Sequence, residues 1–144
     1  LWTNACCSHP RKGEDLNTAV YRRTLEELGV SINSEVNHIG KFTYRKKFDE
    51  LTEYEIDHVF VWLVDSSVLQ FVPNKEEIED LMWIDIHYLV NWLERNPDDF
   101  TAWFFHAFEI FMADFLVKSN IVKLTFSETI NNIIQEKKKK VSHF

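Results

Sequence analysis

Apolar residues in this chain recur in two rhythms, and each rhythm predicts a kind of element. Ala19, Val20, Leu25 and Leu28 fall at helical spacing, with Asp15 or Asn17 placed to cap the helix and Gly29 just past its end. Trp2 to Cys6 reads as the end of a strand, closed by His9-Pro10 and a turn through Gly13. Val36 to Phe48 carries Ile39, Phe42 and Tyr44 with basic residues between them, which predicts a strand. Glu55 to Val64 is nearly continuous in apolar residues, so it predicts a strand lying centrally in a sheet. A polar stretch, Asn74 to Glu79, precedes Leu81-Met82-Trp83-Ile84, read as a short strand. A helix from Ile86 to Glu94 then stops before Asn96-Pro97. Thr101 caps the last well-marked helix, where Phe104, Phe108, Phe111 and Phe115 form one core-facing stripe. Strands and helices mix without strict alternation, so the class is α+β or α/β, with a mixed β-sheet flanked by helices.

Composition narrows the picture. The chain has 144 residues, 45% hydrophobic, enough for one domain with a core and too few for two comfortable ones. Twelve Phe and five Trp exclude disorder, and a formal charge of −7 argues against a nucleic-acid partner. The only cysteines, Cys6 and Cys7, are adjacent, which makes a disulfide framework improbable and a reducing cytoplasm the expected location. No apolar run reaches the roughly 20 residues of a membrane span, so the protein is expected to be soluble. Composition shifts after Ser119 and sets a domain over 1–118 apart from a tail over 119–144. The tail predicts a further helix over Phe126 to Glu136, packed on the domain or serving an oligomer contact. It carries a solvated run, Lys137 to Lys140, ahead of its last four residues.

The densest polar constellation runs from Cys7 to Val30. On a helix Arg22 faces Glu26 and Arg23 faces Glu27, each pair four residues apart, as on a solvated face laced with ion pairs. In an extended segment Glu53 and Glu55 share one face, a geometry suited to one divalent cation or simply to an exposed strand end. Cys7 and His9 likewise project together while Cys6 points away. Such a pair serves as nucleophile, acid–base couple or metal ligands, or is merely a thiol and a surface imidazole.

Ser8 to Val30 resembles the Nudix signature, Gly-x5-Glu-x7-Arg-Glu-U-x-Glu-Glu-x-Gly-U, where U is a bulky aliphatic residue. Glu14, Arg22, Glu26, Glu27, Gly29 and Val30 fall on their positions, whereas Ser8, Arg23 and Thr24 depart. The Glu replaced by Arg23 helps hold the catalytic magnesium in Nudix hydrolases, so this departure speaks against a hydrolase. Four separated motifs resemble type 1 isopentenyl-diphosphate isomerases within that superfamily. They are Trp2-Thr3-Asn4-Ala5-Cys6-Cys7-Ser8-His9-Pro10, Glu26-Glu27-Leu28-Gly29-Val30, Glu53-Tyr54-Glu55-Ile56-Asp57 and Phe100-Thr101-Ala102-Trp103-Phe104. Tyr54 stands for a family His and Ala102 for a family Pro.

The resemblance implies an α/β/α Nudix-like fold and an isomerase that moves a double bond in an allylic or homoallylic diphosphate during isoprenoid synthesis. Cys7 and Glu55 match its catalytic pair on opposite faces of the substrate, and Tyr44 matches the Tyr beside that Glu. Trp103 matches the Trp whose π face steadies a carbocation, an attraction of about 0.5–2 kcal/mol. His9, Glu53 and Glu55 match ligands of one divalent metal, Mn2+ or Zn2+, and Glu27 matches the residue for a Mg2+ shared with the substrate. Arg23 matches a diphosphate-binding Arg.

The family's metal site also takes two His from a segment before the Trp-Thr-Asn strand. This chain opens at Leu1 without a Met, so a fragment or a wrongly assigned start is expected, and a chain that binds metal weakly and turns over poorly on its own. His38 and His58, in or beside predicted strands, and His87 and His106, on predicted helices, are poor substitutes for those ligands. The readings to weigh are therefore an isomerase, a Nudix pyrophosphohydrolase, and an impaired fragment with a binding role.

Overall fold

A computed structural model describes residues 1–48 and 51–119, of which 46–48 and 51–53 by their backbone alone. The predicted tail helix and the Lys137 to Lys140 run lie outside the described residues. The elements in order are helix α1 (Leu16–Leu28), strands β1 (Val36–Phe48) and β2 (Leu51–Trp62), helix α2 (Ile86–Arg95), a short 3-10 turn (Pro97–Asp99) and helix α3 (Ala102–Lys118). β1 and β2 pair with each other, and the two residues between them leave room only for an antiparallel hairpin. No helix among the described residues is long and apolar enough to cross a membrane.

The chain divides into two compact units, each assembled from separate segments. One comprises Leu1–Thr3, His38–Val61 and the described residues from Asp85 onward. Its core is Val90 and Leu93 from α2, Phe100, and Phe104, Phe105, Phe108 and Met112 from α3. Burying each large side chain contributes about 1.5–3 kcal/mol. Asp85 starts α2 by accepting from the backbone N–H groups of His87 and Tyr88, and the chain turns out of it at Asn96, before Pro97. Rings then stack along α3 from Phe100 through Phe104 to Phe108, with centroids 5.3 and 5.8 Å apart. Gly40 lets β1 approach that helix, because a Cβ there would stand 2.8 Å from Ile110 Cγ2.

The start of α3 is pinned from far away in sequence. Trp2 N–H donates to the Asp99 carbonyl at 2.8 Å and Thr101 N–H to the Trp2 carbonyl at 2.9 Å, an isolated parallel bridge between Trp2 and Phe100. Thr101 holds the cap position, yet its hydroxyl donates to Thr3 Oγ1 at 3.0 Å and makes no cap bond.

The other unit comprises Asn4–Asn37 and Trp62–Ile84. Asp15 caps α1 by accepting from Thr18 N–H, and Gly29 ends it at φ +66, donating to the Leu25 carbonyl. The next unsatisfied carbonyls, Glu27 and Leu28, accept from Asn74 and Val72 N–H at 2.8 and 2.9 Å. That loop comes so close that a Cβ on Gly29 would collide with the Val72 carbonyl oxygen. Glycine is required there twice over, by conformation and by space.

Four expectations need correction. Leu81 to Ile84 is not a strand, for among the described residues no strand pairs with its backbone, and Met82 and Trp83 are exposed. Trp2 to Cys6 contributes only the Trp2 bridge. β2 is not central: among the described residues the sheet has two strands, and Tyr54 is 72% exposed. The buried face of α1 holds Ala19, Thr24, Glu27 and Leu28, with Glu27 bonded there to Arg23, and leaves Leu25 52% exposed.

Candidate functional site

The residues singled out from the sequence divide between the two units. Cys7, His9, Arg23 and Glu27 belong to the unit built on α1, and Tyr44, Glu55 and Trp103 to the unit built on α3. The Glu53 side chain lies outside the described residues.

In the α1 unit a turn at Gly13 returns the chain so that Arg11 N–H donates to Glu14 Oε2 at 2.7 Å. Both Glu14 oxygens also accept from Arg22, from Nε at 2.7 Å and Nη2 at 2.8 Å, a fork-to-fork pair. The Arg22 bonds, followed by the Arg11 N–H, hold the Glu14 carboxyl down at about 2. Arg22 continues to Glu26 at 2.9 Å, the pairing the four-residue spacing predicts.

Arg23 sits among three carboxylates. Its Nε and Nη2 both donate to Glu27 Oε1, at 2.9 and 2.6 Å, its Nη1 reaches Glu26 at 2.7 Å, and Nη2 also reaches Glu77 at 2.5 Å. Burial works against the Arg23 charge, but the bonds to Glu77, Glu26 and Glu27 outweigh it and raise its pKa. Glu27 itself is only 4% exposed.

Beside it lies Cys6. Burial first, then the Glu27 charge and a hydrogen bond to it, push the Cys6 thiol up to about 12. Cys6 is therefore a neutral thiol at ordinary pH, too basic to serve as a thiolate. Asn4 Nδ2 donates to its carbonyl at 2.7 Å and fixes the turn. Cys7 and His9 are both exposed, and neither cysteine is in a disulfide.

In the α3 unit, Tyr44 on β1 is buried with its ring edge-on to Trp103 at 6.2 Å and 76°. His106 joins them, 6.5 Å from Tyr44 and stacked on Phe42 at 5.1 Å and 20°. Trp103 Nε1 donates to Thr3 Oγ1 at 2.9 Å, so the same hydroxyl orients both the indole and Thr101. Glu55 is half-buried on β2. The structure thus brings Tyr44 and Trp103 together, and separately Arg23 and Glu27. Among the described residues no group of three His, Cys, Asp or Glu side chains forms that could hold a metal ion.

Four contributors escaped the sequence reading. Thr3 and Cys6 lie inside a quoted motif but had no role assigned, and His106 was seen only as a helical residue. Glu77 gave no signal at all, being 54 positions from Arg23.

Residues 1–104 match the family model of the NUDIX domain. Over 105 residues the chain is 42% identical to an isopentenyl-diphosphate Delta-isomerase of Photobacterium profundum, covering 72% of this chain and 57% of that protein. It is 43% identical over 105 residues to the isopentenyl-diphosphate Delta-isomerase of Serratia proteamaculans, covering 72% and 56%. Against isopentenyl-diphosphate Delta-isomerase 2 of Photorhabdus laumondii subsp. laumondii the identity is 37% over 105 residues, covering 72% and 56%. The chain spans a little over half the length of the curated relatives it matches.

Proposed function

This chain belongs to the Nudix domain family, and from that premise we propose that it interconverts isopentenyl and dimethylallyl diphosphate. The observation that carries this reading is the 42–43% identity to proteins named for that isomerisation. Arg23 supports it against a pyrophosphohydrolase. Where the hydrolase signature places a carboxylate for magnesium, this helix carries a cation already neutralised by Glu26, Glu27 and Glu77.

Isomerisation adds a proton to the terminal alkene carbon and removes another from the carbon two bonds away. A tertiary carbocation lies between, so the site must supply one proton, accept one, and line the cation with groups that do not capture it. Cys7 and Glu55 are the pair that gives and takes the protons. Tyr44 positions Glu55, and the Trp103 π face, oriented through Thr3, steadies the cation. Arg23 binds the diphosphate by exchanging the exposed carboxylate of Glu26 or Glu77 for a phosphate oxygen, keeping its buried bond to Glu27.

Glu27 fits magnesium as one hard-oxygen ligand of an ion completed by water and phosphate, its carboxylate held in place by Arg23. When bound, that ion neutralises diphosphate charge. One imidazole and two carboxylates, His9, Glu53 and Glu55, have the donor chemistry for a second divalent ion, manganese or zinc. The reading places the reaction in the cytoplasm, on a small-molecule substrate.

Incubating the protein with isopentenyl diphosphate and magnesium tests the reading. Dimethylallyl diphosphate as product is expected, lost in Cys7→Ala and in Glu55→Gln. Released phosphate would replace the isomerase with a hydrolase, and neither product would leave a binding module.

A further inference from the structure

Two histidines that the isomerase reading leaves unused meet across the hairpin. His38 on β1 and His58 on β2 place Nε2 and Nδ1 3.0 Å apart, with ring centroids at 5.1 Å and planes 38° apart. Both rings are exposed, and Phe60 packs against the His38 ring at 5.0 Å, restricting its rotation. The contact brings two nitrogens to one exposed point on the hairpin, a hydrogen bond apart, where they share one proton.

That point has the dimensions of a metal site. With metal–nitrogen bonds of about 2.0–2.1 Å, two imidazole nitrogens stand about 2.9 Å apart at a right angle and about 3.4 Å apart at the tetrahedral angle. The observed 3.0 Å lies within that span. The backbone ladder holds the two residues on neighbouring strands, so little reorganisation is needed. Imidazole nitrogens select zinc, nickel and copper over magnesium and calcium, which prefer oxygen.

We propose that His38 and His58 chelate a divalent transition-metal ion of the Zn2+, Ni2+ or Cu2+ class across the β1–β2 hairpin, with water completing its shell. In the binding step two metal–nitrogen bonds form, to His38 Nε2 and His58 Nδ1. The shared proton leaves to solvent, and the ring that carried it takes one up on its other nitrogen, so both remain neutral imidazoles. The site uses neither of the proposed ligands Glu27 and His9 and does not depend on the isomerase reading.

Zn2+ titration of the whole chain, followed through the ring resonances of each histidine, tests it. One equivalent should shift the His38 and His58 resonances together and raise the thermal midpoint, while Mg2+ at the same concentration should move neither. His38→Gln and His58→Gln should each weaken this binding at least about tenfold, and the double variant little further. His87→Gln should leave it unchanged. Wild-type affinity in either single variant, equal shifts with Mg2+, or Zn2+ shifts confined to other histidines would overturn the proposal.

Discussion

The two units are held by different physics. Among the described residues the α3 unit buries a single cluster of seven apolar residues, with Phe105 only 1% exposed. Among the buried side chains of the α1 unit, Thr24 and Glu27 stand beside Ala19 and Leu28. Its order comes from Arg22, Arg23 and their carboxylates, and from loop N–H groups that bond the end of α1. Hydrophobic burial is nearly indifferent to pH and salt, whereas ion pairs depend on both. The difference fits the proposed division of labour. Under that proposal the α1 unit would handle a diphosphate and a cation, and the α3 unit would offer an aromatic wall to a hydrocarbon.

The sharpest way to break this contrast is to remove each unit's own support. Phe105→Ala is expected to destabilise the α3 unit by about 3–5 kcal/mol through the cavity it leaves, measured by urea unfolding. Gly29→Ala is expected to cost the α1 unit about 2 kcal/mol in left-handed backbone strain, with more from the collision at Val72. Amide exchange at Thr24 to Leu28 should accelerate in this variant.

Titration sharpens the comparison. Glu14 is held near 2, below its ordinary 4.5, so its contribution is complete above pH 4.5 and is lost as pH falls towards 2. Cys6 is raised to about 12 from 9.0, so its contribution is complete below pH 9.0 and is lost as pH rises towards 12. By pH 10 the Cys6 loss is about 1 kcal/mol, allowing for partial exposure. Amide exchange should therefore accelerate in α1 at both pH extremes before it does in α3, and Cys6→Ala should remove the alkaline limb. The smallest expected effect, about 1 kcal/mol, belongs to Thr3→Val, which removes the hydroxyl that accepts from Trp103 Nε1 and should broaden its indole resonance.

Local rules made much of the fold legible. The Asp15 and Gly29 caps, the stop at Asn96-Pro97 and the full extent of β1 were readable because each depends on neighbours in sequence. Leu81 to Ile84 was misread because an apolar run becomes a strand only with a partner, which no local pattern supplies. The Phe stripe was half right. Phe104 and Phe108 are buried, but Phe115 is 37% exposed, and the inner face instead takes in Phe105 and Met112. Of the candidate site, the Arg22–Glu26 and Arg23–Glu27 pairs followed from helical spacing. The Glu77 carboxylate on Arg23 and the Thr3 hydroxyl under Trp103 arise from chain segments far apart, and their pairing leaves no trace in periodicity.

The bond from Trp103 to Thr3 joins residues 100 positions apart, and the Trp2–Phe100 bridge beside it closes almost as long a loop. Closing so long a loop costs chain entropy that only non-local contacts repay, which places such contacts late in folding. Helices α2 and α3 assemble from neighbouring residues and can form before Trp2 and Thr3 arrive. The orientation of Trp103 is then among the last features gained as the chain folds, and among the first surrendered when the α3 unit opens locally.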